Sequence, residues 1–254
     1  MLKKLYNKSE MWFAVAWIVA YCVLMSVGDV LSETIGIEKS ATLAVGLLLS
    51  TVLLLFLKNN NLLEVYGLRR SETSARSMLY YLPIILMLSA NLWYGASVNF
   101  SVLETVFYVL SMLCVGFLEE LIFRGLLFGA MRKDNFKAAV IVSSVTFGIG
   151  HIINLVNGSG SELFPNLLQV VYATAAGFMF VMMYLKSGSL IGCIAVHGLF
   201  NSLSAFANEA NATQEMRILS CVLLTVITGS YAAYLAWSIR LTRKNKIRSS
   251  PSSR

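Results

Sequence analysis

The feature that most constrains this chain is a succession of apolar runs, each close to the length that crosses a bilayer. A hydrocarbon core takes ~20 residues of α-helix. On that ruler eight runs qualify, at roughly 11–30, 41–57, 78–95, 105–131, 137–154, 165–185, 189–207 and 218–239. Composition agrees, with 57% apolar residues, 13% charged and a mean hydropathy of +0.71 over 254 residues, far from the averages of water-soluble domains. The expected fold class is therefore all-α, a polytopic membrane protein with about eight transmembrane helices, residues 1–254 forming one integral-membrane domain. The first run follows Lys3, Lys4 and Lys8, which resembles a signal peptide. It is longer than a normal signal core and no small-residue cleavage site follows, so it reads as a retained span.

The net charge of +7 takes its meaning from where the charges lie. With the N-terminus in the cytoplasm, 17 of the 20 Lys and Arg residues fall in cytoplasmic segments, only Lys39 and Arg217 fall outside, and Arg124 lies within a run. Cytoplasmic loops carry such an excess of positive charge, and omitting one span would invert every later loop. Both termini are expected in the cytoplasm. Because the positive charge is spread over all these loops and no soluble domain is present, nucleic acid is not an expected partner; membrane lipid is. The basic, Ser-rich stretch 241–254 reads as a disordered cytoplasmic tail resting on anionic lipid, and 58–77 as either a short interfacial helix or a loop. Cys22, Cys114, Cys193 and Cys221 are widely spaced and form no CxxC pair, so they read as small core residues rather than disulfides or zinc ligands.

The exceptions to the apolar pattern carry the functional signal. The fourth run contains Glu119, Glu120 and Arg124, and a charge at the centre of a membrane helix costs about 2.5 to 3.5 kcal/mol on insertion scales. One long helix with buried charge is simpler than two pieces too short to span. Glu120 and Arg124 are four apart on one helix face, the acid N-terminal to the base, the better order for an ion pair. Glu119 is turned by ~100° and has no good partner in its own helix. Measured at ~1.5 Å per residue from the cytoplasmic ends, Glu119, His151, His197 and Asn201 all lie ~16–22 Å deep. A lone intramembrane His or Asn usually bonds a neighbouring helix. Two carboxylates, the only two histidines of the chain and an Asn at one level read as a site. Gly148, Gly150 and Gly198 would let these helices approach closely.

A Glu facing a His suits general-base activation of water. A second His with an Asn suits hydrogen bonding to an oxyanion in a dry site. Together they describe amide hydrolysis without a covalent intermediate; no G-x-S-x-G elbow is present and no Cys stands beside a His at helical spacing. Glu119, His151 and His197 could instead form a two-His, one-carboxylate zinc site with an open position. The H-E-x-x-H signature is absent, and spacing alone does not decide the matter. The preferred reading has no metal and expects no cofactor, with zinc as the alternative.

Glu119-Glu120-Leu-Ile-Phe-Arg124, Phe147-Gly-Ile-Gly-His151 and His197-Gly-Leu-Phe-Asn201 resemble, in order, the E-E-x-x-x-R, F-x-x-x-H and H-x-x-x-N motifs of the CPBP family. That family joins CAAX prenyl proteases with bacteriocin-processing and immunity proteins (Abi). The shared core would cover about residues 105–207. The resemblance implies an intramembrane endopeptidase of the glutamate type: Glu119 as general base, His151 orienting water, His197 and Asn201 as oxyanion donors, and Glu120, Arg124 and Phe147 in support. A metalloprotease label is also attached to the family, so the metal question stays open. The implied substrate is a membrane-associated protein or peptide, and the implied location the cell membrane of a bacterium. CAAX members cut prenylated C-terminal tails, but nothing in this sequence selects such a substrate. The rival readings are a non-catalytic scaffold or bacteriocin self-immunity protein, and a proton-coupled transporter. The transporter reading lacks support from inverted repeats or paired broken helices, Pro occurring only at 83, 165 and 251.

Overall fold

The structure, a computed structural model, describes residues 2–155 and 162–249, the side chains of 243–249 excepted. Among the described residues the regular structure is helical apart from one isolated bridge, Ala96 to Ala207. Helix α1 (Leu2–Lys8) is separated from α2 (Glu10–Ile35) by Ser9, whose extended backbone and side chain, accepting from Trp12 N–H at 3.2 Å, start the second helix. Gly36 ends α2 in the left-handed conformation, φ +75°, where a Cβ would be strained. Next come α3 (Ser40–Asn59) and the short α4 (Leu82–Ser89), with Pro83 in its first turn. Helix α5 (Val102–Glu119) opens with a capping box between Ser101 and Glu104. It runs without interruption through a π-helical stretch, Glu120–Leu127, into α6 (Phe128–Met131). Helix α7 (Phe136–Gly150) is followed by a 3-10 turn (His151–Leu155), then α8 (Leu163–Ser187), α9 (Ile191–Leu203) and α10 (Gln214–Ser249).

Among the described residues seven helical segments are long and apolar enough to cross a membrane, making the protein a polytopic all-α membrane protein. The expected span at 189–207 takes the form of α9 plus a 3-10 turn, Ile191–Phe206, shorter than the others. The run at 105–131 is one continuous helix, as expected for buried charge carried within a single span. The run at 78–95 is broken: 3-10 turns flank α4, and Leu79, Tyr80 and Tyr81 have positive φ. Residues 60–74 form turns rather than an interfacial helix. They are tied to the α8–α9 connection by Leu190 N–H to Gly67 O, Glu72 N–H to Ser187 O and Arg69 Nε to Gly188 O, each 2.8 Å. Tyr66, buried in this segment, bonds the Tyr6 hydroxyl at 3.0 Å, and burial pushes its phenol above the ordinary tyrosine value. The backbone of α10 is helical to Ser249, into the stretch expected as a tail from 241; residues 250–254 lie outside the described residues.

The centre of the bundle is the continuous α5–α6 helix, packed by α2, α3, α7, α8 and α9. All eight residues of the π stretch are buried. Small residues set the distances between its neighbours. A Cβ on Gly116 of α5 would lie 2.5 Å from Gly198 N of α9, and one on Gly148 of α7 would lie 2.8 Å from Thr174 N of α8. Gly198 itself packs on Leu113, so Gly148 and Gly198 act at helix contacts as their positions suggested. Gly150 does not: nothing lies within 4 Å of a Cβ there, because it faces a cavity. Gly116→Val should therefore wedge α5 from α9 and lower stability by about 1–3 kcal/mol or more, read as a lower melting temperature in nanodiscs. Gly150→Ala should melt with the wild type.

Candidate active site

The polar cluster is built outward from the π stretch. There Phe128 N–H reaches Phe123 O, an i→i+5 bond of the kind found at functional sites, and Ser143 of α7 donates its hydroxyl to the same carbonyl at 2.9 Å. Glu120 and Arg124 pair at 3.0 Å, and neither side chain has any solvent exposure. The Arg124 guanidinium lies 4.0 Å from the Phe147 ring centroid and 5.3 Å from that of Phe180, so two aromatic faces supply part of the solvation that water cannot. Glu120 Oε1 also accepts from His197 Nδ1 at 2.9 Å. The imidazole is stacked on Phe180 and meets Phe147 edge-on. Glu120 Oε2 and Arg124 Nε and Nη2 have no hydrogen-bond partner.

Glu119, one residue earlier, occupies a different environment. Its Oε1 accepts from the Tyr21 hydroxyl of α2 at 2.6 Å. Its Oε2 has no hydrogen-bond partner and faces His197 Nε2 at 3.5 Å. His197 therefore stands between the two adjacent carboxylates, one on each ring nitrogen. With Nδ1 protonated to donate to Glu120, Nε2 is left toward Glu119. His151 opens the turn after α7; its Nδ1 is 3.0 Å from Phe147 O and its own carbonyl accepts from Asn166 Nδ2 at 2.8 Å. Donation from Nδ1 leaves His151 Nε2 as an acceptor.

These elements enclose a cavity of about 750 Å³ whose wall includes Tyr21, Glu119, Phe147, His151 and Asn201. Of the residues singled out from the motifs, Glu119, Phe147, His151 and Asn201 line that space. Glu120, Arg124 and His197 form the buried layer behind it, joined to it through the His197–Glu119 contact. A zinc cage is not laid out: among the described residues no three His, Cys, Asp or Glu side chains are grouped to hold a metal ion, and one nitrogen of His197 is already taken by Glu120. Sequence reasoning missed Tyr21 and Phe180. Tyr21 is the single Tyr of α2 and the only phenol of that span, the sole trace a sequence holds of it; Phe180 sits in an apolar run without distinction.

The two glutamates should separate in stability measurements. Glu120→Ala leaves Arg124 buried without its partner and should destabilise the protein by about 3–5 kcal/mol. Glu119→Gln retains an oxygen for the Tyr21 hydroxyl and should melt close to the wild type in the same nanodiscs.

Residues 100–203 match the family model described as Type II CAAX prenyl endopeptidase Rce1-like. The chain is 35% identical over 86 residues to the Bacillus subtilis (strain 168) protein named "Putative membrane peptidase YdiL". That match covers 34% of this chain and 30% of the relative, so the chain spans less than a third of the relative's length. No solved structure matches it. The matched segment runs from the start of the central helix to the end of α9 and contains all three polar motifs, so over these residues the chain is similar to the Rce1-like, CAAX prenyl endopeptidase family.

Proposed function

We propose that the protein is an intramembrane endopeptidase that hydrolyses a peptide bond of a membrane-associated protein or peptide with a water activated by Glu119. The match of residues 100–203 to a CAAX-protease family model supports the coarser reading, a membrane peptidase. The observation that carries the finer one is the state of Glu119: one carboxylate oxygen is held by Tyr21 at 2.6 Å, and the other has no hydrogen-bond partner. The residue lies in the wall of a cavity that also holds His151 and Asn201. An acceptor fixed at one oxygen and left without a partner at the other is what a general base needs.

In this mechanism water in the cavity donates one hydrogen bond to Glu119 Oε2 and one to His151 Nε2. Glu119 takes a proton as the water oxygen bonds to the peptide carbonyl carbon. The resulting oxyanion is met by Asn201 Nδ2, and by His197 when its Nε2 carries a proton. Glu119 then returns its proton to the departing amine as the C–N bond breaks, and the new carboxyl group gives up the water's second proton to that amine, leaving a carboxylate and an ammonium product. Glu120 and Arg124 hold the imidazole of His197, and Tyr21 holds Glu119. No step passes through a metal. A prenyl group is not required by any contact described, and the proposed setting is a bacterial cell membrane, a reading supported by a Bacillus relative named as a membrane peptidase.

Glu119→Gln should lower kcat by about 10²–10⁴-fold, the usual weight of general-base catalysis, with insertion and folding intact. Peptidomics of membranes carrying wild type or Glu119→Gln provides the substrate and the measurement. Equal cleavage by the two sinks the proposal, as does complementation of a knockout by the Gln variant, which would mark a scaffold. A chelator should leave purified activity unchanged; loss restored by zinc would replace this mechanism with a metal one. Tyr21→Phe removes a hydrogen bond to a charged group, about 1.5–3 kcal/mol. It should lower kcat by roughly 10- to 100-fold with KM unchanged. Tyr21→Leu should lose no more than Phe does, whereas a packing role would leave Phe silent.

A further inference from the structure

The cavity reaches only one end of the bundle. Its wall beyond the polar cluster is formed by Glu33 near the end of α2, Thr42 at the start of α3, Tyr108 in the first half of α5, Asn154 after α7, Tyr172 in the first half of α8 and Ser204 after α9. Helix ends and helix starts alternate along the chain, so in an up-and-down bundle all six belong to the same face. That face is the one with two basic residues, Lys39 and Arg217; the opposite face carries 17. The charge rule for membrane insertion puts the basic face in the cytoplasm.

Acidic residues are distributed the other way. Of the 13 Asp and Glu, seven lie toward the cavity-mouth end, two are Glu119 and Glu120, and four lie toward the basic end. Both bases at the mouth end are already engaged by acids. Lys39 lies 2.8 Å from Asp29 and 3.9 Å from Glu38, and Arg217 lies 2.5 Å from Glu209. Asp29, Glu33 and Glu38 line the cavity itself, with Lys39 the one basic residue of its wall and already paired with Asp29, and Glu33 is exposed. A low-dielectric cleft with an excess of one sign of charge concentrates ligands of the other.

We propose that the cavity takes its substrate from the extracytoplasmic side, and that the substrate is a peptide segment carrying basic residues beside the bond to be cut. The substrate class rests on the peptidase reading; the side of access does not. A peptide leaving the membrane on that side would meet Glu33 and Glu38 with its basic residues while its apolar part follows the cavity toward Glu119. The same field disfavours acidic peptides, so the mouth both attracts and rejects.

The side of access is tested in intact cells by a membrane-impermeant maleimide, against the background of the native cysteines. Thr34→Cys, exposed at the mouth end, should label, and Ser71→Cys, exposed at the opposite end, should label only after permeabilisation. Labelling of Ser71→Cys first, or of both alike, overturns the proposal. The charge class is tested with Glu119→Gln protein in phosphatidylcholine nanodiscs and two fluorescent amphipathic peptides differing only in Lys or Glu at their polar positions. The Lys peptide should bind at least about tenfold more tightly, lose that advantage as salt rises, and lose it in Glu33→Lys/Glu38→Lys. Equal binding of the two peptides overturns the charge class. Absence of cleavage with labelling and binding as expected would remove the peptidase reading alone.

Discussion

A carboxylate and a guanidinium with no exposure to solvent sit at the centre of this membrane protein, and much of the surrounding structure serves to solvate them. Two buried ions are tolerable only with good mutual geometry and further polar or aromatic contacts. The Glu120–Arg124 pair meets that demand with a 3.0 Å contact inside one helix, the His197 imidazole on the acid, and Phe147 and Phe180 around the base. Each of those partners comes from a different helix: α7 supplies Phe147, α8 supplies Phe180 and α9 supplies His197. Keeping the pair solvated thus holds three helices in register around the fourth span.

That register gives two adjacent glutamates different chemistry. Glu120 is turned into the protein and saturated on one oxygen by two donors. Glu119 lies in the cavity wall, steadied by one donor from α2 and without a hydrogen-bond partner on its other oxygen. The imidazole between them couples the buried layer to the cavity wall. In the proposed reaction this arrangement, the buried pair positioning the histidine and the histidine facing Glu119, would supply the preorganisation that water activation requires. The π-helical stretch, which begins at Glu120, lies where the chain passes from one environment to the other.

Much of this was legible in the sequence because membranes enforce simple rules. Runs of bilayer length announced the spans, and the run at 105–131, kept whole despite its charges, is one helix. The i, i+4 spacing announced the Glu120–Arg124 pair, and equal depth announced that the histidines and Glu119 belong together. What failed to show has equally plain causes. The break in the run at 78–95 and the short α9 are invisible to hydropathy, which counts apolar residues without asking whether the backbone stays helical. Gly150 was indistinguishable from Gly148 by composition, although one faces empty space and the other a neighbouring helix. Tyr21 is 98 residues from its partner, and no local period links them.

The sequence by itself determined the class of the protein, the depth of its polar residues and the pairing of charges within one helix, because bilayer thickness and helical rise convert residue number directly into height. Only the tertiary structure decided which side chains meet at that height. The rotation of each helix about its axis is set by packing, Gly116 against Gly198 and Gly148 against Thr174. That rotation put His197 between two carboxylates, Tyr21 on Glu119, and the cavity at one end of the bundle.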